Sequence, residues 1–394
     1  MKKYTKKHKG GKVIDSGGFG CVFTPALKCK NNKTRTKGIS KLSFANESNI
    51  EWNTLTTIKK YLSKIPNYSK YFLIKDITTC NPDKLSILDK KSFDKCFLLE
   101  NNGITISNIN DNLHLLKIIN MPYGGINLDV VVNNDIISIN NYNKLLQNLL
   151  INAIIPMNRL KLYHFDIKSS NILYKDNNIK IIDFGEIGIS LKNKIIPNIL
   201  FNRGIQFNSP FSRILYTDFI DNYLSIAFIK YKIKNNTSNI KKLNIMKQIY
   251  REYIKKFGLA HEIYLSKFLL PQIFNLMPNN LIIDIWGVSI NNINYESILS
   301  DWITNYCFQV VNLFFNYKTM KLDREKYFEE VYSKNVDIYG LISCYIPFIM
   351  TNNYNYTKNL KIKISNILIK YCFNSEYAIK PIPINLLISD LNKI

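Results

Sequence analysis

Long apolar runs, paired cysteines and acidic side chains are what this 394-residue chain has little of. No uncharged apolar run reaches the roughly 18 to 20 residues that cross a bilayer as a helix. LISCYIPFIM, at 341–350, comes nearest and is too short. The basic amino terminus MKKYTKKHKGGK is followed by no apolar segment, so a secretory signal is unsupported. The seven cysteines, at 21, 29, 80, 96, 307, 344 and 372, show no CxxC spacing, and reduced thiols in a cytosolic compartment are the simplest reading. Cys80 and Cys96 bracket a polar stretch and could approach each other, but no His or Cys neighbour completes a metal site there.

Acid is scarce. With 29 Asp and Glu against 53 Lys and Arg, the formal charge is +24, a field that favours acidic proteins, nucleic acid or an anionic membrane as contacts. The lysines are spread among abundant Asn and Ile, a bias that an AT-rich genome also produces. The chain is 46% hydrophobic, which excludes global disorder, and long enough for one large two-lobed domain or two ordinary ones. No internal repeat is evident.

What is there centres on residues 163–185, YHFDIKSSNILYKDNNIKIIDFG. Asp166, Lys168, Asn171 and Asp183 stand at spacings that phosphoryl transfer can use. Asp166 would accept the proton of an attacking hydroxyl, Lys168 would lie beside the transferred phosphate, and Asn171 and Asp183 would hold magnesium. Between the two ligands, ILYK and IKII flank a polar DNN, which predicts a hairpin with both ligands at its open end.

Upstream, GGKVIDSGGFGCVFTP at 10–25 predicts two strands around a glycine-rich turn, where backbone amides can approach phosphate oxygens that a Cβ would obstruct. GISKLSF, at 38–44, is a short strand carrying Lys41 inward. ANESNIEWNTLTTIKKYL is predicted helical, with Ile50, Leu55, Ile58 and Leu62 near one face. YFLIKDI and HLLKIIN read as two strands separated by a polar insertion, and a helical stripe over 141–158 includes Leu146, Leu149, Leu150, Ala153 and Met157. Residues 211–330 are mostly helical by pattern, with Gly258 ending one helix.

Taken in order, these motifs resemble the protein kinase family: HFDIKSSN stands for its catalytic loop and DFG is intact at 183–185. The resemblance implies an α+β, bilobal kinase-like fold, with an N-lobe over 1–122 and a helical C-lobe over 123–394 that contains an insertion at about 211–330. It assigns Gly17, Gly18, Phe19, Gly20 and Val22 to the nucleotide loop, with Asp15 in the first glycine's place. Lys41 becomes the lysine on the α- and β-phosphates, with Glu51 as its partner and Glu47 as the runner-up. Met121 and Tyr123 become the adenine hinge, and His164 a packed residue supporting Phe184. Two aspartates compete to anchor the catalytic loop, Asp284 in IDIWGVSI and Asp337 in KNVDIYGLISCYIPFI. The second is preferred because its apolar run continues.

Departures are specific. Phe165 replaces the family's arginine, Phe211 follows Pro210 where a glutamate is usual, and residues 186–210 carry only Ser190 and Ser209 as hydroxyls. These imply an enzyme active without phosphorylation of that segment. Lys168, two residues after the aspartate, implies a serine/threonine acceptor, with ATP and Mg2+ as cofactors and proteins as substrates. GGFGCVFTPALKC and NSPFS are similar to the divergent kinases of giant DNA viruses, which implies a host-cytoplasmic or virion location. A small-molecule kinase of the same fold and a non-catalytic ATP-binding scaffold remain the alternatives.

Overall fold

Alternating apolar residues at the start of the chain build a sheet. The computed structural model describes residues 11–17, 20–31, 38–277 and 293–394. Strands β1 (Lys12–Gly17), β2 (Gly20–Thr24), β3 (Ile39–Phe44), β4 (Thr78–Cys80) and β5 (Leu116–Met121) form one antiparallel sheet in the order β1-β2-β3-β5-β4. In its register Lys41 lies between Val22 and Ile119. Since successive side chains alternate faces, Leu42 enters the core with Cys21 and Phe23, and Lys41 projects from the opposite face. Lys41 therefore does not point into the apolar core.

The core of this sheet is completed by the stretch between β4 and β5. Leu85, Phe93, Leu99, Ile104 and Ile109 from that stretch are buried against Val13, Phe23, Leu42 and Ile118. What reads as a polar insertion supplies one side of the hydrophobic layer, each such side chain contributing about 1.5–3 kcal/mol by burial. The same packing joins cysteines distant in sequence: Cys21 is bonded to Cys96 and Cys29 to Cys80. Reduced thiols are thus confined to Cys307, Cys344 and Cys372, all buried.

Helix α1 (Ala45–Leu62) covers the sheet with Leu55, Ile58 and Leu62. Ile50 is 69% exposed, because five residues before Leu55 it is turned about 140° away around the helix. YFLIKDI is not a strand. Tyr68–Tyr71 is a short helix, Phe72 makes a single parallel bridge to Ile181, and Asp76 adopts a left-handed φ of 58°.

The chain forms two compact units, one running to Gly125 and including Lys180–Gly185, the other comprising Ile126–Ile179 and Glu186–Ile394. The tripeptide DFG at 183–185, expected in the C-lobe, thus belongs to the first unit. The reason is local: Lys180 Nζ donates to the Ser69 carbonyl at 2.6 Å, the Leu73 amide donates to Ile181 O at 3.0 Å, and the Phe72 and Phe184 rings lie 6.5 Å apart.

The second unit is helical. Ile139–Leu149 passes through a π turn at Leu150–Ile154 into Ile155–Arg159 and leads to the strand Leu162–Tyr163. The strands Ile172–Lys175 and Asn178–Ile181 are joined by Asp176 and Asn177, with φ of 47° and 56°, the left-handed pair of a tight hairpin turn. Beyond Pro210 come helices Asp218–Lys230, Asn239–Phe257, Ala260–Tyr264, Leu270–Leu276 and Tyr295–Phe314, followed by Ser333–Ser343 and Lys358–Leu368. Gly258, with φ 81°, caps Asn239–Phe257. No helix among the described residues is long and apolar enough to cross a membrane.

Candidate functional site

The stretch His164–Asp166 is held by one buried carboxylate. Asp337, with no solvent exposure, accepts from the backbone amides of His164 at 3.0 Å and Phe165 at 2.9 Å. Turning the Asn158 amide lets it donate to the same carboxylate at 2.8 Å. Burial pushes the Asp337 carboxyl up, and the amides it accepts from oppose that shift. Asp284, the competing aspartate, lies outside the described residues. Phe165 has a left-handed φ of 62°, an uncommon state for a bulky residue that the bonded carboxylate holds in place. Gly340, on the helix carrying Asp337, is where that helix meets the loop: a Cβ there would lie 2.6 Å from the Ile167 carbonyl oxygen.

On this base the Asp166 carboxylate gathers donors. Lys168 Nζ lies 2.8 Å from Oδ2 and 3.1 Å from Oδ1. A 3-10 turn over Ser169–Asn171 brings the chain back, so that Asn171 Nδ2 donates to Asp166 Oδ2 and to its carbonyl, both at 2.9 Å. Asp166 is 8% exposed. The carboxylate is an acceptor aimed and fixed by its neighbours, the requirement for a group that must receive a proton in one geometry. His164 is buried, and its Nδ1 accepts from the Asp166 amide at 3.3 Å.

One further donor was not assigned a role from sequence. Asn208 Nδ2 donates to Asp166 Oδ1 at 2.8 Å and to the Ile167 carbonyl at 3.1 Å. Its segment is pinned by Arg213, fully buried, which bonds Gln206 and pairs with Glu186 at 2.8 Å; Arg203 joins Glu186 at 3.3 Å. The neighbouring Phe207 ring stacks on His261 at 5.6 Å and lies 5.2 Å from Tyr264. Burial lowers the His261 pKa, and Lys168 lowers it further. Beside Ser169 and Ser170 a cleft of 370 Å3 is walled by Phe207, Tyr264 and Asp129. Asp129 accepts from the Ser169 hydroxyl at 2.6 Å. The sequence carried no local signal for Asn208 or His261, since neither lies near Asp166 along the chain.

The first unit holds the remaining candidates. Lys41 Nζ lies 2.7 Å from Glu51 Oε2, so of the two glutamates considered Glu51 makes the contact. Val22 is the cross-strand neighbour of Lys41, and Gly17 pairs with Gly20 at the end of the β1-β2 hairpin. Gly18 and Phe19 lie outside the described residues, as does the amino-terminal tail. Met121 closes β5 opposite Ile39, where Gly38 leaves room that a Cβ would take at 2.2 Å from the Met121 carbonyl oxygen. Tyr123 is 43% exposed. Asp183 is exposed, with a left-handed φ of 60°, and its carboxylate accepts loosely from the Gly185 amide at 3.4 Å.

In the second unit Asn171, its Nδ2 committed to Asp166, has its amide oxygen left to offer, and in the first unit Asp183 presents an exposed carboxylate; each is the kind of oxygen donor that a hard cation takes. Among the described residues no cluster of three or more His, Cys, Asp or Glu side chains gathers as an all-protein metal cage. Neither a family model nor a curated protein matches this chain.

Proposed function

We propose that this protein is a serine/threonine protein kinase that transfers the γ-phosphoryl group of ATP to protein hydroxyls. The observation that carries the reading is the convergence of Lys168, Asn171 and Asn208 on the two oxygens of Asp166. Asp166 accepts the proton as the O–H bond of the acceptor breaks and its oxygen attacks the γ-phosphorus; the bond to the bridging oxygen breaks and ADP leaves. Lys168, beside Asp166, stabilises negative charge on the transferred group. Lys41, oriented by Glu51, holds the nucleotide phosphates. Asn171 and Asp183 would hold magnesium, which would supply positive charge against that of the phosphates.

The ion pair of buried Arg213 with half-buried Glu186 supports activity without phosphorylation of residues 186–210. That segment already carries its own counter-charge within the chain, where other switches recruit a phosphate.

The test is transfer of labelled γ-phosphate from Mg-ATP to casein-like and basic proteins, comparing the native chain with Asp166→Ala and identifying the phosphorylated amino acid. Phosphoserine or phosphothreonine that disappears in the variant is the expected result. Transfer only to a small alcohol, or ATP binding with no transfer, would overturn it.

A further inference from the structure

Two disulfides staple the sheet unit, and their surroundings differ. Cys21 and Cys96 have no solvent exposure and lie in the apolar core with Phe23, Leu42 and Phe93. Cys29 and Cys80 are half-buried, and Cys80 belongs to β4, an edge strand of the sheet. Thiol–disulfide exchange begins when a thiolate reaches a disulfide sulfur, so the edge pair is open to reagents that the core pair excludes.

The edge pair also meets a fixed hydrogen-bond donor. Asn120 in β5 is 3% exposed, and its Nδ2 donates to Cys29 Sγ at 3.5 Å and to Cys80 Sγ at 3.6 Å. The amide is held from its other end: the Leu27 amide donates to Ser40 Oγ at 2.7 Å, and Ser40 Oγ donates to Asn120 Oδ1 at 2.5 Å. Such a donor bonds a thiolate more strongly than a neutral disulfide sulfur, so it favours the sulfur that leaves. The approach is basic as well, with Lys28, Lys30 and Lys84 exposed around the pair against the single acid Asp83.

The two cysteines do not depend on their bond to stay close. Cys29 forms an antiparallel bridge with Pro82, the Lys30 amide donates to the Asn81 carbonyl, and the Asp83 amide donates to the Lys28 carbonyl, both at 2.9 Å. Thiols released here remain adjacent, and the bond can close as it opened.

We propose that Cys29–Cys80 is a reversible thiol–disulfide exchange site for an anionic thiol of the glutathione class, while Cys21–Cys96 is a structural bond. One reductant thiolate attacks either sulfur, the S–S bond breaks, and its electron pair goes to the other sulfur beside Asn120. A second reductant thiolate attacks the mixed disulfide and releases the remaining protein sulfur. Both protein thiolates take up protons, and the two reductant sulfurs end joined as their own disulfide, a two-electron exchange. No phosphoryl transfer is involved, so the proposal stands or falls apart from the kinase reading.

The test holds the folded full chain in excess reduced glutathione without denaturant, quenches samples over time, alkylates the free thiols and maps them by peptide mass spectrometry. Cys29 and Cys80 should become labelled together at least about tenfold faster than Cys21 and Cys96, whose exposure waits for a local opening of the core. Excess glutathione disulfide should then restore the Cys29–Cys80 linkage. Asn120→Leu, which lacks the donor, should slow the opening by about tenfold. A merely loosened sheet would speed it, so slower opening marks the lost donor. Equal rates for the two bonds, a Cys29–Cys80 bond that stays closed or does not re-form, or opening in Asn120→Leu as fast as in the native chain or faster would each overturn the proposal.

Discussion

Asn208 donates to the Asp166 carboxylate at 2.8 Å across 42 residues of chain. The proposed base is thus oriented from two sides, by Lys168 and Asn171 in its own loop and by a residue of the segment ending at Pro210. A hydrogen bond to a charged group contributes about 1.5–3 kcal/mol. If its role is to aim Asp166, Asn208→Ala should lower kcat for the protein acceptor by about 10- to 100-fold and leave the acceptor KM near its original value. Asn208→Asp, which places a second carboxylate against Asp166, should lower it further. Steady-state kinetics of the two variants decide this, and an unchanged kcat would leave the aiming of Asp166 to its own loop.

What was legible in the sequence follows chain distance. Asp166, Lys168 and Asn171 lie within five residues, so a single 3-10 turn joins them and spacing alone indicates their meeting. Lys41 and Glu51 are ten residues apart on a strand and the helix that follows it, and that contact too could be anticipated. Asp337 is 172 residues from Phe165, yet the long apolar run around it marked a buried helix. Asn208 and His261 had no such marker. The stretch 81–115 misled because Leu85, Phe93, Leu99 and Ile104 are too widely spaced among polar residues to show a period, and only the sheet they cover gives them a common face. The cysteine pairings were hidden for the same reason, each depending on that packing.

Gly340 admits the helix Ser333–Ser343 to the loop that carries Asp166. Alanine has the better helix propensity, so a purely local view expects Gly340→Ala to stabilise. The Cβ, however, would meet the Ile167 carbonyl oxygen at 2.6 Å and its Cβ at 2.9 Å, and backbone cannot step aside as a flexible side chain can. Overpacking of this kind costs about 1–3 kcal/mol. The variant should unfold at lower urea concentration, and by displacing Ile167 it should reduce phosphoryl transfer even where it remains folded. A variant as stable and as active as the native chain would refute the tight approach.

The two disulfides of the sheet unit give a thiol count. Unfolded in denaturant without reductant, the native chain should show three reactive thiols, those of Cys307, Cys344 and Cys372, and all seven cysteines only after reduction. The bridges span 75 and 51 residues, and in the chain-entropy account each stabilises by about 4 kcal/mol. Reduction should therefore lower the unfolding midpoint, with the largest loss of hydrogen-exchange protection in β1 to β5. Seven reactive thiols without reductant would refute the pairing.

Burial of Glu262 ties stability to pH. Its folded-state pKa is raised from 4.5 to about 7, so the native chain holds this proton more tightly than the unfolded chain does. For a carboxyl shifted in this direction the favourable term is complete below about pH 4.5, declines as pH rises and is gone above about 7, amounting to at most about 3 kcal/mol. His261 next to it is a second titratable group, its pKa lowered by burial, so the native chain alone does not isolate the effect. The difference between native and Glu262→Gln does, because glutamine keeps the shape and cannot ionise. Urea unfolding at about pH 5 and pH 7.5 should show the native chain losing stability relative to Glu262→Gln as pH rises. Native and variant curves that run parallel across this range would mean that the Glu262 carboxyl is not shifted in solution.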